Sequence, residues 1–555
     1  MAKRRNEETS VPQAASRRAV DIDVGAIERN TEFERALGLV RDGANVFITG
    51  RAGTGKSTLL TVLRAEFADW AMAVLAPTGV AALNVRGETI HRFCKFKVGV
   101  TLQHAKAAGV KRRMDDLVQA LQTVVIDEVS MVRADLLDCL DTFLRVARPE
   151  RKREPFGGVQ LIMIGDCYQL PPVVKPGEAA FFGGGLRKRR TNADSVPSYH
   201  GYASPWFFSA RVMQQMDVEM VELQKVYRQS DPAFIALLSA VRNRTVDELQ
   251  LAHLNTRVWS GRGKPEHARG AITLTPTNAA ADAINAAELA ALPKQPQTYR
   301  GWMEGRFEQG RLPTDEALAL KVGARVMFLV NDRGRRWVNG STGTVLACEQ
   351  GCTTVRVDGR ADPVDVEPFT WEILESFFDK GTRSIGYNTV ASFTQIPLRL
   401  AWAVTIHKSQ GLTFDRVVLD LGRGAFAHGQ TYVALSRCRS FEGITLTRPV
   451  KATDVRMDWE VVKFLTSFQY GKSEEAMPFD EKIARIKAAI REGKQLRITY
   501  LKRSDVRSER VITPREVGEM EYKGKEFPGL AAYCHERQDE RMFRVDRILT
   551  MEEVA

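Results

Sequence analysis

The sequence predicts an α/β protein of several domains, and three observations carry this prediction. The chain has 555 residues, 44% of them hydrophobic, which is enough for several buried cores. An apolar run at residues 46–48 is followed by a glycine-rich loop and a helix-like segment at residues 58–66. A second apolar run, residues 122–126, ends in two acidic residues, as buried parallel strands do at the carboxyl edge of a sheet.

The glycine-rich loop, residues 50–57, reads Gly-Arg-Ala-Gly-Thr-Gly-Lys-Ser, which is the pattern of a phosphate-binding P-loop. Its glycines let backbone N–H groups close around phosphates, Lys56 reaches the β- and γ-oxygens, and the Ser57 hydroxyl can ligate Mg²⁺. The helix N-terminus that follows favours an anion. We predict a nucleotide site formed by Gly50, Ala52, Gly53, Thr54, Gly55, Lys56, Ser57 and Thr58.

Two acidic residues and a glutamine complete the predicted hydrolytic site. Asp127 would hold Mg²⁺ together with Ser57, and Glu128 would orient and polarise the attacking water. A further apolar run leads into Gly-Asp-Cys-Tyr-Gln-Leu-Pro-Pro at residues 165–172. The amide of Gln169 can accept from water and donate to phosphate, so it can report hydrolysis to the rest of the protein.

The amino-acid composition indicates the cellular compartment and the kind of partner to expect. No segment approaches the roughly 18 uncharged apolar residues of a membrane span, and the first residues lack the hydrophobic region of a signal peptide, so we expect a cytoplasmic protein without membrane contact. The formal charge of +12 permits a polyanionic partner. Of seven cysteines only Cys348 and Cys352 lie close in sequence, and an isolated pair cannot complete a zinc site, so free thiols are expected.

The ordered motifs resemble those of superfamily 1B DNA helicases of the Pif/RecD-like group. Besides the segments above, the matching stretches are residues 76–79 (Ala-Pro-Thr-Gly), 89–91 (Thr-Ile-His), 227–229 (Tyr-Arg-Gln), 275–278 (Thr-Pro-Thr-Asn), 338–340 (Val-Asn-Gly), 403–411 (Ala-Val-Thr-Ile-His-Lys-Ser-Gln-Gly) and 432–437 (Tyr-Val-Ala-Leu-Ser-Arg). Individually the Thr-Pro-Thr-Asn or Asn-Gly stretch would mean little, but the order and spacing of the whole set make coincidence negligible. The resemblance covers about residues 28–470.

The resemblance implies two RecA-like parallel-sheet domains that hold ATP between them. The first would span residues 28–215, with a wedge-like insertion at about 94–118. The second would be assembled from residues 216–320 and 396–472, and an SH3-like β-rich insertion at 321–395 would interrupt it. Residues 1–27, which show little apolar periodicity, are expected to be disordered.

Several side-chain roles also follow from the resemblance. Arg228 and Arg437 match the family's two γ-phosphate arginines, although a surface salt bridge remains an alternative for Arg228. Glu34 stands at the apparent position of an adenine-reading glutamine, and its carboxylate cannot donate to the base, which loosens the expected base selectivity. Single-stranded DNA would be gripped by Pro77, Thr78, His91, Asn278, His407, Lys408 and Ser409. A core role remains an alternative for His91 and His407.

The C-terminal region resembles a WYL domain, a small Sm-like β-barrel. After a predicted linker at residues 473–477, a helix is expected to end near Gly493 and a strand to follow at 496–500. Residues 481–511 contain ten Lys or Arg and four Asp or Glu, which favours an anionic partner. We predict a WYL-like domain at 478–555 that helps to bind single-stranded DNA through Arg497, Arg510, Arg541, Arg544 and Arg547, with a solubilising or partner-docking module as the alternative.

By resemblance, the chain is an ATP-dependent DNA helicase that moves 5′ to 3′ on single-stranded DNA and acts in replication, recombination or repair. It would use ATP and Mg²⁺, act on forked or tailed duplexes, work as a monomer or weak dimer, and associate with the nucleoid of a bacterium. Two alternatives stay open: a DNA-stimulated ATPase that translocates without separating strands, and a nucleotide-switched DNA-binding regulator.

Overall fold

The computed structural model describes residues 27–175, 178, 182, 201–261, 268, 270–305, 312–502, 505–522 and 524–554. The predicted disorder of residues 1–27 therefore falls outside the described residues, except at Ile27. Within the described ranges no helix combines the length and apolar character needed to span a bilayer.

The first part of the chain forms a six-stranded parallel sheet in the order β3-β2-β4-β5-β1-β6. Its strands are β1 (Val46–Gly50), β2 (Met72–Ala76), β3 (Glu88–Thr89), β4 (Thr123–Ile126), β5 (Gln160–Ile164) and β6 (Glu219–Leu223). Its helices are α1 (Thr31–Arg41), α2 (Lys56–Glu66), α3 (Gly79–Asn84), α4 (Ile90–Phe93), α5 (Leu102–Lys111), α6 (Asp116–Ala120) and α7 (Ala134–Ala147). The central strands are buried on both faces, which is why they read as continuous apolar runs.

The position of β6 shows that the boundary predicted between the first and second domains, at residues 215/216, lies too early in the chain. It pairs with β1 residue for residue, from Val46 opposite Glu219 to Gly50 opposite Leu223. The pairing aligns apolar side chains of β6 with the buried face of the sheet, and Leu223 is 1% exposed. The strand assigned to the second domain therefore belongs to the first sheet.

The insertion predicted at residues 94–118 is helical: it contains α5 and the start of α6. Helix α5 lies against α7 at Gly109, where an added Cβ atom would stand 2.6 Å from the carbonyl oxygen of Phe143. Only glycine permits this close approach of the two helices.

The chain continues through α8 (Pro232–Arg242), α9 (Glu248–Asn255), β7 (Ile272–Thr275) and α10 (Asn278–Ala291) into a β-rich insertion. The strands of the insertion are β8 (Gln297–Arg300), β9 (Trp302–Glu304), β10 (Ala317–Leu320), β11 (Arg325–Phe328), β12 (Thr342–Glu349), β13 (Cys352–Val357), β14 (Val364–Val366), β15 (Phe369–Asp379), β16 (Ser384–Gln395) and β17 (Leu398–Leu400). They form sheets in the orders β10-β8, β14-β13-β12-β11-β17 and β15-β16-β9. The insertion is larger than the predicted 321–395, because three of its strands precede residue 321 and β17 follows residue 395.

A second parallel sheet forms after the insertion, in the order β18-β7-β19-β20. Its remaining elements are β18 (Ala403–Thr405), β19 (Val417–Leu419), α11 (Gln430–Leu435), β20 (Ile444–Leu446) and α12 (Trp459–Ala476). One hydrophobic core runs from the first sheet, at residues such as Phe47, into the second sheet at Leu274 and Leu419. The two sheets are therefore packed together.

The predicted linker at 473–477 is wrong, because α12 continues as a helix to Ala476. Ser473 is buried, and its hydroxyl donates to the carbonyl oxygens of Ile548 (3.0 Å) and Leu549 (2.8 Å). The polar stretch is thus a packed part of α12 that contacts the C-terminal domain.

The C-terminal domain has α13 (Phe479–Glu492), β21 (Leu496–Leu501), β22 (Arg507–Tyr522), β23 (Lys525–Cys534), β24 (Asp539–Arg544) and β25 (Ile548–Glu553). The helix ends where predicted, with Gly493 in the left-handed region at φ 65°. The strands form an antiparallel sheet in the order β24-β23-β22-β21-β25. Among the described residues the edge strands β24 and β25 are not paired with each other, so the predicted closed barrel is not confirmed.

A candidate nucleotide site between two parallel sheets

The predicted P-loop connects β1 directly to α2. Gly53 and Gly55 have φ of 84° and 87°, a region that favours glycine. A Cβ atom at Gly53 would stand 2.5 Å from Cβ of Arg228, so the loop also has no room for a side chain there. Lys56 Nζ donates to the carbonyl oxygens of Gly50 (2.8 Å) and Arg51 (3.0 Å). Burial lowers the pKa of Lys56, and an anion beside the ammonium group would offset that burial.

A cleft of about 800 Å³ opens beside this loop, which is large enough for a nucleoside triphosphate. The predicted residues that line it are Ala52, Gly53, Thr54, Gly55, Lys56, Ser57, Thr58, Glu128, Gln169, Arg228 and Arg437. These residues come from both parallel sheets and from the segment that joins them. Both sheets therefore supply residues to the cleft, as expected for a nucleotide held between two domains.

The acidic pair follows β4, as predicted. Glu128 adopts φ 50°, ψ 43° and lines the cleft, whereas Asp127 is buried. Burial, and then the charge of Glu128, raises the pKa of Asp127, and burial also raises the pKa of Glu128. Two adjacent carboxylates in a desolvated site favour a nearby divalent cation, and the Ser57 hydroxyl supplies a further oxygen donor on the cleft. The donor set thus fits Mg²⁺.

Gln169 connects the first sheet to the second. Its Nε2 donates to Asp166 Oδ2 at 3.2 Å, and its Oε1 accepts from Gln410 Nε2 at 3.4 Å. Asp166 is fully buried and also accepts from the backbone N–H of Tyr168 at 3.0 Å. The side chain expected to sense the γ-phosphate is thereby held between β5 and the turn after β18.

The two predicted arginines also line the cleft, Arg228 against Gly53 of the P-loop and Arg437 just after α11. Arg437 is 1% exposed and donates to the carbonyl oxygen of Val433 (3.0 Å) and to Ser436 Oγ (2.9 Å). Arg228 donates to the carbonyl oxygen of Ser436 at 3.3 Å. Burial, and then the neighbouring Arg228, lowers the pKa of Arg437 to about 9. Because two guanidinium groups lie close together, an anion in the cleft would relieve their repulsion.

Tyr432 and Asp166 are functional candidates that sequence reasoning did not select, although both lie in motifs it quoted. The Tyr432 hydroxyl accepts from the backbone N–H of Ala52 at 2.9 Å, so α11 contacts the P-loop directly. No spacing rule links a tyrosine to a loop 380 residues earlier, since the contact depends on how the two sheets pack.

The position of Glu34 does not agree with its predicted role as the residue that reads the adenine base. Its side chain is 57% exposed, lies 3.7 Å from Arg29, and is not among the described residues that line the cleft. The neighbouring Phe33 is buried and lines the cleft together with Tyr227. A helix turns by about 100° per residue, so a shift of one position exchanges the exposed face for the buried one. The cleft is therefore bordered here by the rings of Phe33 and Tyr227, and the Glu34 carboxylate lies outside its lining.

The predicted DNA contacts occupy equivalent places in the two sheets. Thr78 follows β2 and accepts from the N–H of Ala81, and Thr277 follows β7 and accepts from the N–H of Ala280. Each threonine caps the helix behind it. Pro77 and Thr78 are partly exposed at the end of β2, and Asn278 is exposed at the start of α10.

After β18, Lys408 is exposed and His407 is half-buried, with its pKa lowered by burial. His91 is also half-buried, and its ring lies edge-on to Phe96 at 6.5 Å. Ser409, in contrast, is 0% exposed and its hydroxyl donates to the carbonyl oxygen of Ile406 at 2.8 Å. The predicted DNA contact of Ser409 is therefore wrong, because the tight turn after β18 points this side chain into the protein.

Comparisons with known proteins agree with these motifs. The profile of the PIF1-like helicase family matches residues 29–250. ATP-dependent DNA helicase Pif1 of Bdellovibrio bacteriovorus is 34% identical over 432 residues, which cover 76% of this chain and 88% of that protein. The chain belongs to the PIF1-like helicase family. Mouse ATP-dependent DNA helicase PIF1 is 34% identical over 457 residues, or 80% of this chain, and this family member spans only 63% of the mouse protein.

The solved structure of Bacteroides sp. Pif1 in complex with ADP-AlF4 matches this PIF1-like chain with a TM-score of 0.69 and 34% identity, covering 80% of this chain and 97% of that one. The profile of the WYL domain matches residues 481–553. The predicted WYL domain is thereby confirmed, as a C-terminal addition to the PIF1-like region.

The five C-terminal arginines of this family member do not share one face of the sheet. Arg497 stands opposite Val511 and Arg510 opposite Ile498, so these two arginines project to opposite faces. Arg541 and Arg544 form ion pairs with Asp539 (3.3 Å) and Asp546 (2.6 Å). Arg547 lies in a short 3-10 turn between β24 and β25. The five arginines predicted to bind DNA therefore do not form one continuous surface.

Proposed function

We propose that this chain is an ATP-dependent DNA helicase that moves 5′ to 3′ on single-stranded DNA and separates duplex. The observation that carries the proposal is the cleft, which is lined by Lys56 and Glu128 from the first sheet and by Arg437 from the second. A site assembled from two packed sheets can convert closure around a nucleotide into movement of one sheet against the other.

In this proposal the two parallel sheets are RecA-like domains, and α5 and α6 form the strand-separating wedge. The strands of the β-rich insertion would form an SH3-like unit, and the C-terminal sheet would curve into an Sm-like barrel. The protein would act as a monomer or weak dimer in the cytoplasm of a bacterium, associated with the nucleoid. Its DNA transactions would belong to replication, recombination or repair.

The chemistry follows from the positions of the side chains. Lys56 and the N–H groups of the P-loop bind the β- and γ-phosphates, and Glu128 holds the attacking water in line with the γ-phosphate. Burial raises the pKa of Glu128, which suits a carboxylate that takes a proton from water. Ser57 and Asp127 would hold Mg²⁺, which neutralises charge on the phosphate oxygens when it is bound. Arg228 and Arg437 stabilise the charge that develops on the transferred phosphoryl group.

Hydrolysis would reach the DNA through Gln169. Its amide lies in the cleft and contacts Gln410, which follows His407 and Lys408 in the same turn. Loss of the γ-phosphate changes the hydrogen bonds that Gln169 can make, and the change passes to the turn that grips DNA.

The DNA would be gripped mainly by its backbone, at Pro77, Thr78, His91, Asn278, His407 and Lys408. Such binding is largely independent of base sequence and weakens as salt rises. One similar solved structure is Bacteroides Pif1 bound to single-stranded DNA, and another is described as two coordinating Pif1 helicases that unwind forked duplex DNA. Single-stranded DNA and forked or tailed duplexes are therefore the expected partners of this chain.

The deciding experiment measures strand separation on matched partial duplexes that carry either a 5′ or a 3′ single-stranded tail. We expect ATP-dependent unwinding from the 5′ tail only, and none with Lys56→Ala, which should retain most of its DNA binding. Unwinding from the 3′ tail would contradict the proposed direction. ATP hydrolysis without unwinding on either substrate would favour a translocase or a nucleotide-switched regulator.

We further propose that the C-terminal arginines assist DNA binding. Arg497 and Arg510 lie on opposite faces of the sheet, so each can be tested alone. Arg497→Gln and Arg510→Gln should each weaken single-stranded DNA binding and lower its salt dependence. If both variants bind and respond to salt as the wild type does, the domain does not contact DNA through this region.

A further inference from the structure

The C-terminal domain contacts the segment that follows β5 of the first sheet at the Tyr168 side chain. The turn between β21 and β22 carries Asp505, whose Oδ2 accepts from the hydroxyl of Tyr168 at 2.9 Å. Tyr168 is 1% exposed and lies in the segment of residues 166–170 that follows β5. The contact joins residues 337 positions apart in the chain, and the residue next to Tyr168, Gln169, lines the cleft.

Asp505 is held from a second direction by α12. Gln469 Nε2 donates to Asp505 Oδ1 at 2.7 Å, and Gln469 Oε1 accepts from Arg507 Nε at 2.8 Å. Both carboxylate oxygens of Asp505 are therefore engaged. The backbone of Asp505 has φ 56°, which is uncommon for a residue other than glycine and is maintained only where the surroundings hold it.

The charges around this contact also connect it to the ATPase site. The guanidinium of Arg242 lies 3.9 Å from the centre of the Tyr168 ring, and its Nη2 lies 3.8 Å from Asp166 Oδ1. Burial raises the pKa of Asp505, and the charge of Arg242 opposes that rise. Burying a carboxylate destabilises the folded protein unless hydrogen bonds or opposite charges offset the loss of hydration. This arrangement is therefore better suited to fixing the geometry of Tyr168 than to adding stability.

Tyr168 is adjacent to Gln169, the residue that contacts both the cleft and Gln410. The backbone N–H of Tyr168 donates to Asp166 Oδ1, and Gln169 Nε2 donates to the other oxygen of the same carboxylate. Fixing the Tyr168 ring therefore limits where the Gln169 amide can lie. A side chain from the WYL domain reaches this point through a single hydrogen bond.

We propose that Asp505 is a positioning residue supplied by the WYL domain, which holds Tyr168 so that Gln169 is aligned for ATP hydrolysis. The inference rests on the proposed ATPase function. It gives the C-terminal domain a role in turnover that is separate from any DNA binding by its arginines. Nucleotide binding itself does not require the contact, because Asp505 and Tyr168 are not among the described residues that line the cleft.

The test compares Tyr168→Phe, Asp505→Gly and the double variant in ATP hydrolysis stimulated by single-stranded DNA. Glycine suits the positive φ of position 505 and removes the carboxylate without adding backbone strain. Loss of one buried hydrogen bond should lower kcat about 3- to 10-fold, with the KM for ATP within about twofold of wild type. Because both substitutions remove the same contact, the double variant should be no slower than the slower single variant. Asp505→Asn should recover most of the rate, because its amide oxygen can accept from Gln469 while its NH₂ group donates to the Tyr168 hydroxyl oxygen.

Lys472→Gln is the matched control. Lys472 Nζ donates to Glu219 Oε2 at 2.8 Å, so this substitution removes another contact between α12 and the first sheet without touching Tyr168 or Asp505. Its kcat should remain at the wild-type value. Wild-type turnover in Tyr168→Phe and Asp505→Gly, or an equal loss in Lys472→Gln, would overturn the proposal. A wild-type protein that hydrolyses no ATP would instead refute the proposed function.

Discussion

The hydrogen bond between Tyr432 and the P-loop gives a sharp test of how the two sheets cooperate. Tyr432→Phe removes only the hydroxyl that accepts from the N–H of Ala52 at 2.9 Å. Ala52 is 7% exposed, so the N–H is left without its acceptor in a dry environment. Such a loss costs about 1–3 kcal/mol, which corresponds to about 5- to 150-fold in an equilibrium constant.

We expect this loss of free energy to reduce the rate of ATP hydrolysis, because the hydrogen bond joins α11 of the second sheet to the loop that binds phosphate. We expect kcat/KM for ATP in the presence of single-stranded DNA to fall by about 5- to 150-fold, with little change in DNA affinity without nucleotide. The assay is steady-state ATP hydrolysis at saturating DNA, with thermal unfolding measured on the same samples.

Tyr299→Phe is a suitable control for this prediction. The Tyr299 hydroxyl donates to the carbonyl oxygen of Cys352 at 3.0 Å within the β-rich insertion, away from the cleft. This variant should lose a similar hydrogen bond yet retain kcat/KM. If Tyr432→Phe stays within twofold of wild type, the contact does not contribute to the catalytic closure of the cleft.

Three further substitutions test other parts of the description. Phe33→Gln introduces on the cleft a side chain that can both donate to and accept from adenine, so the ratio of kcat/KM for ATP over GTP should rise about 3- to 10-fold, and an unchanged ratio would show that position 33 does not face the base. Gln410→Ala removes the partner of Gln169, and it should lower the stimulation of ATP hydrolysis by DNA while the unstimulated rate persists; equal loss of both rates would contradict the coupling role. Gly109→Ala forces a Cβ to 2.6 Å from the carbonyl oxygen of Phe143 and should destabilise the fold by about 1–3 kcal/mol in chemical denaturation, with no loss if α5 can move aside.

The parts of this molecule that could be predicted from sequence are those with local signals. The P-loop, β1 and α2 follow from a short pattern of glycines between an apolar run and a helix former. The acidic pair after β4 and the helix that ends at Gly493 are similar cases, and the structure places each where the pattern predicts it. In all of these the residues that decide the conformation lie within a few positions of one another.

The errors arose where the deciding partner is distant in sequence. Strand β6 joins the first sheet because β1 offers a free edge some 170 residues earlier, and no local pattern records that pairing. The stretch before Ala476 reads as a polar linker, but Ser473 finds its acceptors on β25. Glu34 and Ser409 fail for a finer reason, since a shift of one residue on a helix or turn decides whether a side chain faces a cleft.

The segment of residues 166–170 is where three parts of the protein meet. Asp458 N–H donates to His428 Nδ1 at 2.7 Å, so the ring proton is on Nε2, which donates to the carbonyl oxygen of Cys167 at 2.8 Å. Burial lowers the pKa of His428, which keeps the ring neutral and this arrangement intact near neutral pH. The second sheet thus holds the backbone of the segment through His428.

The WYL domain holds the next residue of the same segment through Tyr168, and the first sheet supplies the segment itself. These two contacts therefore fix the position of Gln169, since they hold the residues next to it independently of its own amide contacts. A substitution that moves any one anchor should therefore change turnover more than nucleotide affinity, because the P-loop contacts that bind phosphate are made elsewhere. This separation of binding from turnover is the property expected of a motor whose hydrolysis depends on the relative position of its domains.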